Sequence, residues 1–191
     1  MKTEEKRELR KILKALAAGL EPEYCRRADR EILERIRSME EYRKARTVFC
    51  YVGTEREIDT MPVILDALGR GKRVGVPKCI SRGIMEVYEI TGPESLVPGS
   101  YGIQEPSESC PLMRPEEIDL ALVPCLACTG DGYRLGYGGG YYDRYLGRIK
   151  GMRAALCRGR LMRETVPAEE HDIRMDAVIS EDGIFRDADR K

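Results

Sequence analysis

Apolar residues recur at helical spacing in two stretches at the start of the chain. In residues 9–20, leucine and isoleucine fall three and four positions apart, which predicts a helix over residues 3–18 that ends at Gly19. The second stretch opens with Pro22, a residue suited to a first helical turn, and its apolar positions continue to Met39. We therefore expect two helices before the first strand.

Runs rich in β-branched and aromatic residues follow, interrupted by one more helical stretch. The runs at residues 47–53 and 72–77 enclose a helix expected over residues 61–68, which Thr60 would cap. This order predicts a strand–helix–strand unit with parallel strands and functional loops at their carboxyl ends. Further strands are expected at residues 84–90, 119–124 and 153–157, and in the tail up to Ser180.

The order of these elements defines the expected fold class. Helices lead and strand–helix units follow, which is typical of α/β proteins with a mainly parallel, twisted sheet flanked by helices. Residues 91–115 lack periodicity and are rich in proline, serine and glycine, so we expect a long connection there. Because no linker or repeat divides the chain, residues 1–191 are expected to form a single domain with two leading amino-terminal helices.

Charge and composition exclude several classes of protein. The chain has 33 basic and 33 acidic residues, a balance that disfavours nucleic-acid and membrane-surface binders, which carry a positive bias. The charged amino terminus lacks the apolar core of a signal peptide, and no apolar run approaches the roughly 20 residues of a spanning helix. We expect a soluble, cytoplasmic monomer or small homo-oligomer with no nucleic-acid or membrane partner.

Seven cysteines are scattered along the chain, and an odd number without a secretory signal indicates reduced thiols. Cys125 and Cys128 form a C-x-x-C pair, but no second pair completes a zinc site and His171 is the only histidine. A redox pair is one interpretation of this spacing. Buried thiols at a strand end are the favoured one, because free cysteine behaves as a small hydrophobic residue.

A glycine-dense segment, residues 134–143, separates an expected buried strand from a helix that reaches Ile149. Glycine lets backbone N–H groups approach an oxyanion closely and a helix start adds free donors, so this order predicts a phosphate site. The segment lacks the Lys-Ser or Lys-Thr of a P-loop and the last glycine of a dinucleotide-binding fingerprint. The alternative is a plain surface turn, although Gly138, Gly139 and Gly140 would each cost about 0.5–1 kcal/mol relative to alanine there.

Basic residues form a row along the first expected helix. Lys2, Lys6, Arg10 and Lys14 are spaced four residues apart. No acid stands three or four positions from Lys6 or Arg10, so neither cation has a partner within the helix. The row therefore favours either an external anion or an acid from elsewhere in the fold. The alternative is a solvated face with flexible side chains.

Asp143 places an acid next to the predicted phosphate site. A carboxylate in the first turn of a phosphate-binding helix repels the ligand unless Mg²⁺ bridges the two, since this ion takes oxygen ligands from both. The alternative is an acid that only stabilises the helix through its dipole. Spacing alone leaves Glu170, Asp172 and Asp176 open as the second acid of a metal site.

Three further residues are candidates for the core or for a ligand site. Tyr142 lies on the apolar side of its helix and is expected in the core, whereas Tyr141 lies off that side and is expected to face the ligand. Glu57 follows the first expected strand at the sheet edge where α/β proteins bind ligands. The alternative for Glu57 is an exposed loop acid beside Arg56.

The segment from Arg134 to Asp143 resembles the signature of the 5-formyltetrahydrofolate cyclo-ligases, also called 5,10-methenyltetrahydrofolate synthetases. The resemblance covers nearly the whole chain, and its motifs keep the family's order and spacing. The other motifs are Lys6-Arg7-Glu8-Leu9-Arg10, Glu57-Ile58-Asp59-Thr60, Tyr101-Gly102-Ile103, Val166-Pro167 and His171-Asp172. We therefore expect this family's activity.

The resemblance implies an enzyme that uses ATP and Mg²⁺ to convert 5-formyltetrahydrofolate into 5,10-methenyltetrahydrofolate. In this family the formyl oxygen attacks the γ-phosphate to give an N5 iminium phosphate. N10 then closes the ring, and ADP and phosphate are released. The implied partners are 5-formyltetrahydrofolate and ATP, and the implied cofactor is Mg²⁺.

The resemblance also assigns roles to individual residues. Those implied to bind ATP are Lys6, Arg7, Glu8, Leu9, Arg10, Arg134, Leu135, Gly136, Tyr137, Gly138, Gly139, Gly140, Tyr141 and Tyr142. Those implied to contact the folate are Val52, Glu57, Tyr137, Gly138, Gly139, Gly140 and Tyr141. Asp143 and Asp172 are implied to hold Mg²⁺. The residues expected to act in catalysis are Lys6, Arg10, Arg134 and Tyr141.

These roles agree with the chemistry of phosphoryl transfer, which depends on positioning and charge neutralisation rather than on a protein nucleophile. His171 is expected only to shape the turn before Asp172. Two positions depart from the family's pattern. Cys128-Thr129 stands where the family commonly has an aromatic residue followed by an acid, and Gly139 stands where some relatives carry a basic residue.

Two functions from other classes remain open at this point. One is a binding protein that sequesters a folate or a nucleotide without converting it. The other is an enzyme that handles phosphosugars or acyl-CoA on a similar sheet; it explains the glycine segment but not the row that contains Lys6 and Arg10.

Overall fold

The computed structural model describes residues 2–99, 102–170 and 172–186. Tyr101 and His171, which belong to two of the motifs above, lie outside the described residues, as does the side chain of Lys2. The helices are α1 (Lys2–Ala18), α2 (Pro22–Ser38), α3 (Glu40–Lys44), α4 (Met61–Gly69) and α5 (Tyr141–Leu146). The strands are β1 (Thr47–Cys50), β2 (Arg73–Ser81), β3 (Ile84–Ile90), β4 (Leu96–Pro98), β5 (Gln104–Pro106), β6 (Leu112–Met113), β7 (Leu120–Pro124), β8 (Ala127–Cys128), β9 (Arg134–Leu135), β10 (Met152–Leu156), β11 (Ala177–Ser180) and β12 (Gly183–Phe185).

Eight strands form one mixed sheet in the order β12-β11-β10-β7-β1-β2-β3-β6. The five strands from β11 to β2 are parallel to one another, and β12, β3 and β6 add antiparallel edges. Strands β1, β7 and β11 are buried along their whole length, as expected for parallel strands covered on both faces. The expected α/β fold with a mainly parallel sheet and two leading helices is confirmed.

Alternate residues of the central strands enter two cores on opposite faces of the sheet. Val48 of β1 packs in the core beneath α2, α3 and α4, where Ile36 and Tyr42 are fully buried. The next residue, Phe49, points to the other face and packs with Tyr145 of α5. The period of two along each strand therefore divides the apolar residues between the layers.

Several elements differ from the sequence-based expectation. The connection at residues 91–115 contains the short strands β4, β5 and β6, and β12 follows the last expected strand. Helix α5 ends at Leu146 rather than continuing to Ile149, although Ile149 is still buried. Strands as short as two or three residues carry too few alternating positions to be recognised from periodicity.

Thr60 precedes α4, as expected, but its side chain does not cap the helix. Its hydroxyl donates to the carbonyl of Tyr51 at 2.6 Å and accepts from the N–H of Gly53 at 2.9 Å. Thr60 thus closes the loop that follows β1 instead of serving α4. No described helix is long and apolar enough to cross a membrane.

Candidate active site

A cavity of about 840 Å³ opens at the carboxyl ends of β1 and β7, between the sheet, α1 and the glycine segment. This is the edge of an α/β sheet at which ligands bind, and the volume suits ligands of nucleotide or folate size. The residues that line it include Lys6, Arg10, Lys14, Tyr51, Val52, Glu57, Arg134, Leu135, Gly136, Tyr137, Gly138, Gly139, Gly140, Tyr141, Tyr142, Asp143, Glu169 and Asp172.

The glycine segment follows β9 as a loop that wraps around Arg10. Gly138 has φ of 101° and Gly140 φ of 68°, a left-handed conformation that glycine adopts without strain. The Arg10 Nε–H donates to the carbonyl of Gly136 at 2.9 Å. A Cβ on Gly138 would lie 3.4 Å from the Arg10 guanidinium carbon, so the loop and this cation are in close contact.

The helix after this loop contributes less to an anion site than the sequence indicated. Helix α5 contains six residues, and Gly140, which precedes it, has no side chain that could cap it. A short helix carries few aligned peptide dipoles, so charged side chains must supply most of the positive potential in the cavity. Lys6 and Arg134 are the buried cations that line it in the described part of the chain.

Lys6 is buried, with 6 % of its surface exposed, and it pairs with two acids from the other end of the chain. Its Nζ lies 2.6 Å from Oε2 of Glu169 and 2.7 Å from Oδ2 of Asp172. Burial lowers the pKa of Lys6, but the hydrogen bonds to Asp172 and Glu169 outweigh it and the net pKa is raised. The partner that this cation lacks within α1 is therefore a tertiary acid.

Arg134 forms the second ion pair of the cavity. Its Nη2 lies 2.6 Å from Oδ1 of Asp143, and the side chain of Arg134 is 4 % exposed. Its Nε is buried and has no hydrogen-bond partner within the described residues. An unpaired buried donor costs about 1–3 kcal/mol, so an acceptor from a bound ligand would remove that penalty.

The two predicted metal ligands lie close together. The backbone N–H of Ile173 donates to Oδ1 of Asp143 at 3.3 Å, which places Asp143 beside the segment that carries Asp172. Asp176 lies instead at the amino-terminal end of β11, where it accepts from the backbone N–H of Arg153 at 2.8 Å. Asp143 and Asp172 both line the cavity with carboxylate oxygens, which are the ligands that Mg²⁺ prefers, and the donor set therefore fits this ion.

Glu57 lines the cavity from the loop that follows β1. Its Oε2 accepts from the N–H of Thr54 at 3.0 Å and from the Thr54 hydroxyl at 2.8 Å. The loop is anchored by Arg158, whose Nη2 donates to the carbonyl of Glu57 at 2.7 Å and which pairs with Asp29 at 2.8 Å. These bonds hold the carboxylate in place before any ligand binds.

Tyrosine hydroxyls surround Glu57. Burial raises the pKa of Tyr51 far above its ordinary value, and the carboxylate of Glu57 adds to the effect. Desolvation and the same carboxylate raise the pKa of Tyr137. Both phenols therefore stay protonated at neutral pH, so the cavity offers them as hydrogen-bond donors and not as bases.

Three predicted ATP-binding residues lie outside the lining of this cavity. Arg7 is exposed and pairs with Glu4 at 2.6 Å, and Glu8 is exposed. Leu9 packs against a small apolar cluster that contains Leu13. Tyr142, which we expected in the core, packs on Phe49 and also lines the cavity beside Tyr141.

Glu169 is the site residue that the sequence did not reveal. It sits among several acids in the tail, and nothing in its spacing distinguishes it from Glu170, which is exposed. The signal that pointed toward it was the missing partner of Lys6 on α1.

Comparison with known proteins identifies the family. The family model described as "5-formyltetrahydrofolate cyclo-ligase family" matches residues 2–181. The chain belongs to the 5-formyltetrahydrofolate cyclo-ligase family.

The similarity extends over almost the whole length of the relatives. The probable 5-formyltetrahydrofolate cyclo-ligase of Schizosaccharomyces pombe is 28 % identical, over 95 % of this chain and 97 % of the relative. The mouse 5-formyltetrahydrofolate cyclo-ligase is 29 % identical, over 93 % of this chain and 94 % of the relative. The NMR structure of Aquifex aeolicus 5,10-methenyltetrahydrofolate synthetase matches with a TM-score of 0.87 and 32 % identity, covering 97 % of this chain and 94 % of the other.

Membership in the cyclo-ligase family confirms the resemblance drawn from the glycine segment and the prediction that the protein is an enzyme. Residues of the glycine segment line the cavity described above, as the phosphate-site interpretation expects. The roles of individual residues remain predictions, which the contacts described above make specific.

Proposed function

We propose that the protein catalyses the ATP- and Mg²⁺-dependent cyclisation of 5-formyltetrahydrofolate to 5,10-methenyltetrahydrofolate, with release of ADP and phosphate. The observation that carries the proposal is the presence of two ion pairs, Lys6 with Asp172 and Arg134 with Asp143, in the lining of one cavity. A site with cations for phosphate and carboxylates for Mg²⁺ is suited to phosphoryl transfer from a nucleotide.

The phosphates of ATP would lie between α1 and the glycine segment. Lys6, Arg10 and Arg134 are the cations that line this part of the cavity. The unpaired Nε of Arg134 offers a donor that a phosphate oxygen can accept. Asp143 and Asp172 would hold Mg²⁺, which when bound neutralises charge on the polyphosphate.

The folate would occupy the end of the cavity that contains Glu57. Val52 offers an apolar wall and is 8 % exposed, and the protonated phenols of Tyr51 and Tyr137 offer donors. The carboxylate of Glu57 is oriented by Thr54 and can accept hydrogen bonds from N–H groups of a pterin ring. Residues 137–141 would form the floor between the two ligands.

The reaction would proceed in two steps. The formyl oxygen attacks the γ-phosphorus, the bond from that phosphorus to the β–γ bridging oxygen breaks, and ADP leaves. N10 then attacks the activated formyl carbon and loses its proton to solvent, and the carbon–oxygen bond breaks as phosphate departs with the formyl oxygen. The protein positions both ligands and offsets developing charge through Lys6, Arg10 and Arg134, with Tyr141 beside the reacting groups.

No protein nucleophile is required in this scheme. Cys79 lines the cavity, but burial raises the pKa of its thiol, so that it stays protonated at neutral pH. The described lining residues thus supply charge and shape rather than a covalent intermediate.

The decisive test is the appearance of 5,10-methenyltetrahydrofolate absorbance when the purified protein is mixed with 5-formyltetrahydrofolate, ATP and Mg²⁺. Omitting ATP, or adding a chelator in place of Mg²⁺, should each abolish the signal. A folded protein that binds the folate in calorimetry yet makes no product at saturating ATP would instead be a sequestering protein.

A further inference from the structure

Three cysteine thiols meet beside the active-site cavity, at a place that the proposed reaction does not use. Cys125 follows β7, Cys128 ends β8 and Cys157 follows β10. Their sulfur atoms all lie within 4.8 Å of one another. Cys128 and Cys157 are buried and Cys125 is half-buried, so the cluster is largely shielded from solvent. The sequence suggested only the pair Cys125 and Cys128, because the third thiol comes from a separate strand.

The backbone holds these thiols at defined positions. The N–H of Cys157 donates to the carbonyl of Ile179 on β11 at 3.0 Å, which fixes the end of β10 against its neighbour. The carbonyl of Cys128 accepts from the N–H of Arg163 at 2.9 Å, which anchors the β8 end of the C-x-x-C turn. The three sulfur atoms therefore converge because of the fold, with no disulfide between them.

We propose that Cys125, Cys128 and Cys157 bind one Zn²⁺ ion as thiolates. Two ligands from a C-x-x-C turn and a third from a distant segment are a frequent arrangement in zinc sites. Sulfur atoms bonded to one Zn²⁺ at about 2.3 Å lie roughly 3.8 Å apart. The three sulfur atoms are at most 4.8 Å apart in the structure, so each pair has to approach by about 1 Å or less to reach that spacing.

Binding releases one proton from each thiol, and the three protons pass to solvent as three Zn–S bonds form. In the structure, the Cys125 thiol donates to the carbonyl of Leu156 at 3.3 Å and the Cys157 thiol to that of Arg158 at 3.5 Å. Thiols are weak donors, so little is lost when these two bonds are replaced by bonds to the ion. No oxidant or reductant takes part.

A fourth ligand can come from solvent. A cavity of about 20 Å³, lined by both Cys125 and Cys157, adjoins the cluster. This volume holds about one water molecule, which would complete a tetrahedral site. No fourth histidine, cysteine or carboxylate ligand atom joins the group within the described residues.

The ligand atoms of this site differ from those of the proposed Mg²⁺ site. Mg²⁺ binds oxygen ligands such as Asp143 and Asp172, whereas thiolates select Zn²⁺ and other soft ions. The ion would connect the ends of β7, β8 and β10. We therefore expect the ion to stabilise the fold.

The test uses the purified 191-residue chain, reduced and stripped of metal with a chelator. Titration with Cd²⁺, whose bonds to thiolate give an ultraviolet charge-transfer band, should saturate at one ion per chain. Zn²⁺ should displace the band, and either ion should raise the melting temperature. Thiol counting on the metal-free protein reports whether the cysteines are reduced.

The primary variant is Cys125→Ser, because Cys125 is half-buried and its replacement disturbs packing least. Its Cd²⁺ affinity should fall at least tenfold and the band should lose about one third of its intensity, since one of three thiolates is gone. Circular dichroism checks that the variant is folded. The matched control replaces Cys25, Cys79 and Cys110 by serine; these thiols lie outside the cluster, and the control should bind as the parent does.

Several outcomes would overturn the proposal. They are the absence of a saturable band, equal Cd²⁺ binding by Cys125→Ser and its parent, and loss of the band in the control. A disulfide between Cys125 and Cys128 that persists under reducing conditions would also overturn it, because the thiolates would then not be available to a metal ion.

Discussion

The guanidinium of Arg134 and the carboxylate of Asp143 form an ion pair inside the cavity, with Nη2 and Oδ1 2.6 Å apart. Lys6 and Asp172 form a second such pair at 2.7 Å. The two buried cations that we expect to bind phosphate, Lys6 and Arg134, are thus each paired with a predicted metal ligand. Binding of ATP with Mg²⁺ would let both members of each pair exchange partners, so that neither charge is left buried and alone.

This pairing predicts opposite effects of Asp143→Asn on ATP binding and on catalysis. With a chelator present, the variant should bind ATP about three- to tenfold more tightly than the parent, because Arg134 no longer holds a carboxylate that repels phosphate. Cyclisation with Mg²⁺ should fall by about 10²-fold or more. Calorimetry and the absorbance assay measure the two effects.

The control for this prediction is Asp131→Asn, which removes an exposed acid paired with Arg174 at 3.2 Å. Its ATP affinity and rate should match those of the parent. Full activity of Asp143→Asn would show that this carboxylate does not hold the metal.

Lys6→Met should weaken both the fold and ATP binding. Removing the amine deletes the ion pairs of Lys6 with Glu169 and Asp172, and we expect a loss of about 1–3 kcal/mol in the free energy of unfolding at pH 7. The folded-state pKa of Lys6 is raised above its ordinary value of 10.5. The stability that these ion pairs add is therefore fully present below about pH 10.5. It is lost only as the pH rises through the folded-state pKa of Lys6.

Lys14→Met serves as the matched change, since Lys14 also lines the cavity but is exposed. Denaturant unfolding of both variants between pH 6 and about pH 10 should show a stability deficit for Lys6→Met alone. Equal stability of the two variants would contradict the role of the Lys6 pairs.

Glu57→Gln should weaken binding of the folate and leave binding of the nucleotide unchanged. The amide keeps the size of the side chain but loses the charge that is oriented by Thr54. We expect the KM for 5-formyltetrahydrofolate to rise by about tenfold, the value of one charge-assisted hydrogen bond, with little change in the KM for ATP. Glu55→Gln, an exposed acid of the same loop, should leave both constants unchanged.

Gly53→Ala should damage the same loop by crowding. A Cβ at this position would lie 2.0 Å from the carbonyl oxygen of Ile58, so the backbone before Glu57 would have to move. We expect a loss of about 1–3 kcal/mol in stability and a raised KM for the folate. Gly69→Ala is the control, because its Cβ would meet nothing within 4 Å, and thermal unfolding should show a neutral or stabilising effect.

Asp66 controls stability in acid, away from the active site. It accepts hydrogen bonds from Arg37 at 2.8 Å, Arg70 at 2.7 Å and Tyr42 at 2.7 Å. Burial raises the pKa of Asp66, but these bonds outweigh it and the folded pKa lies below the ordinary value of 3.8. The stability that the ionised Asp66 adds is therefore present above about pH 3.8. It is lost as the pH falls through the folded-state pKa of this carboxyl.

We expect Asp66→Asn to lose about 1–2 kcal/mol of stability at pH 7, and this difference should shrink below about pH 4. Glu31→Gln, which removes an exposed acid 3.9 Å from Arg27, should change stability little at any pH. A constant difference between Asp66→Asn and the parent across the acid range would contradict the assigned shift.

The order of elements follows from local patterns in the chain. Helices α1, α2 and α4 and strands β1, β2, β3 and β7 each carry an apolar periodicity that is set by their own geometry, so they are visible without a structure. The glycine segment and the unpaired cations of α1 pointed to a phosphate site for the same reason. The backbone freedom of consecutive glycines and the lack of an acid one turn away from a cation can both be read from residues close together in the chain.

The partners of these residues were decided by tertiary structure. Spacing could not separate Asp172, which lines the cavity, from Asp176, which lies at the amino-terminal end of β11. Nothing marked Glu169 as a partner of Lys6. Cys157 joins the C-x-x-C pair only because β10 lies beside β7. Burial and ion pairing arise between segments that are distant along the chain. Local sequence patterns therefore do not predict them. Only the folded sheet brings the charges of one cavity together.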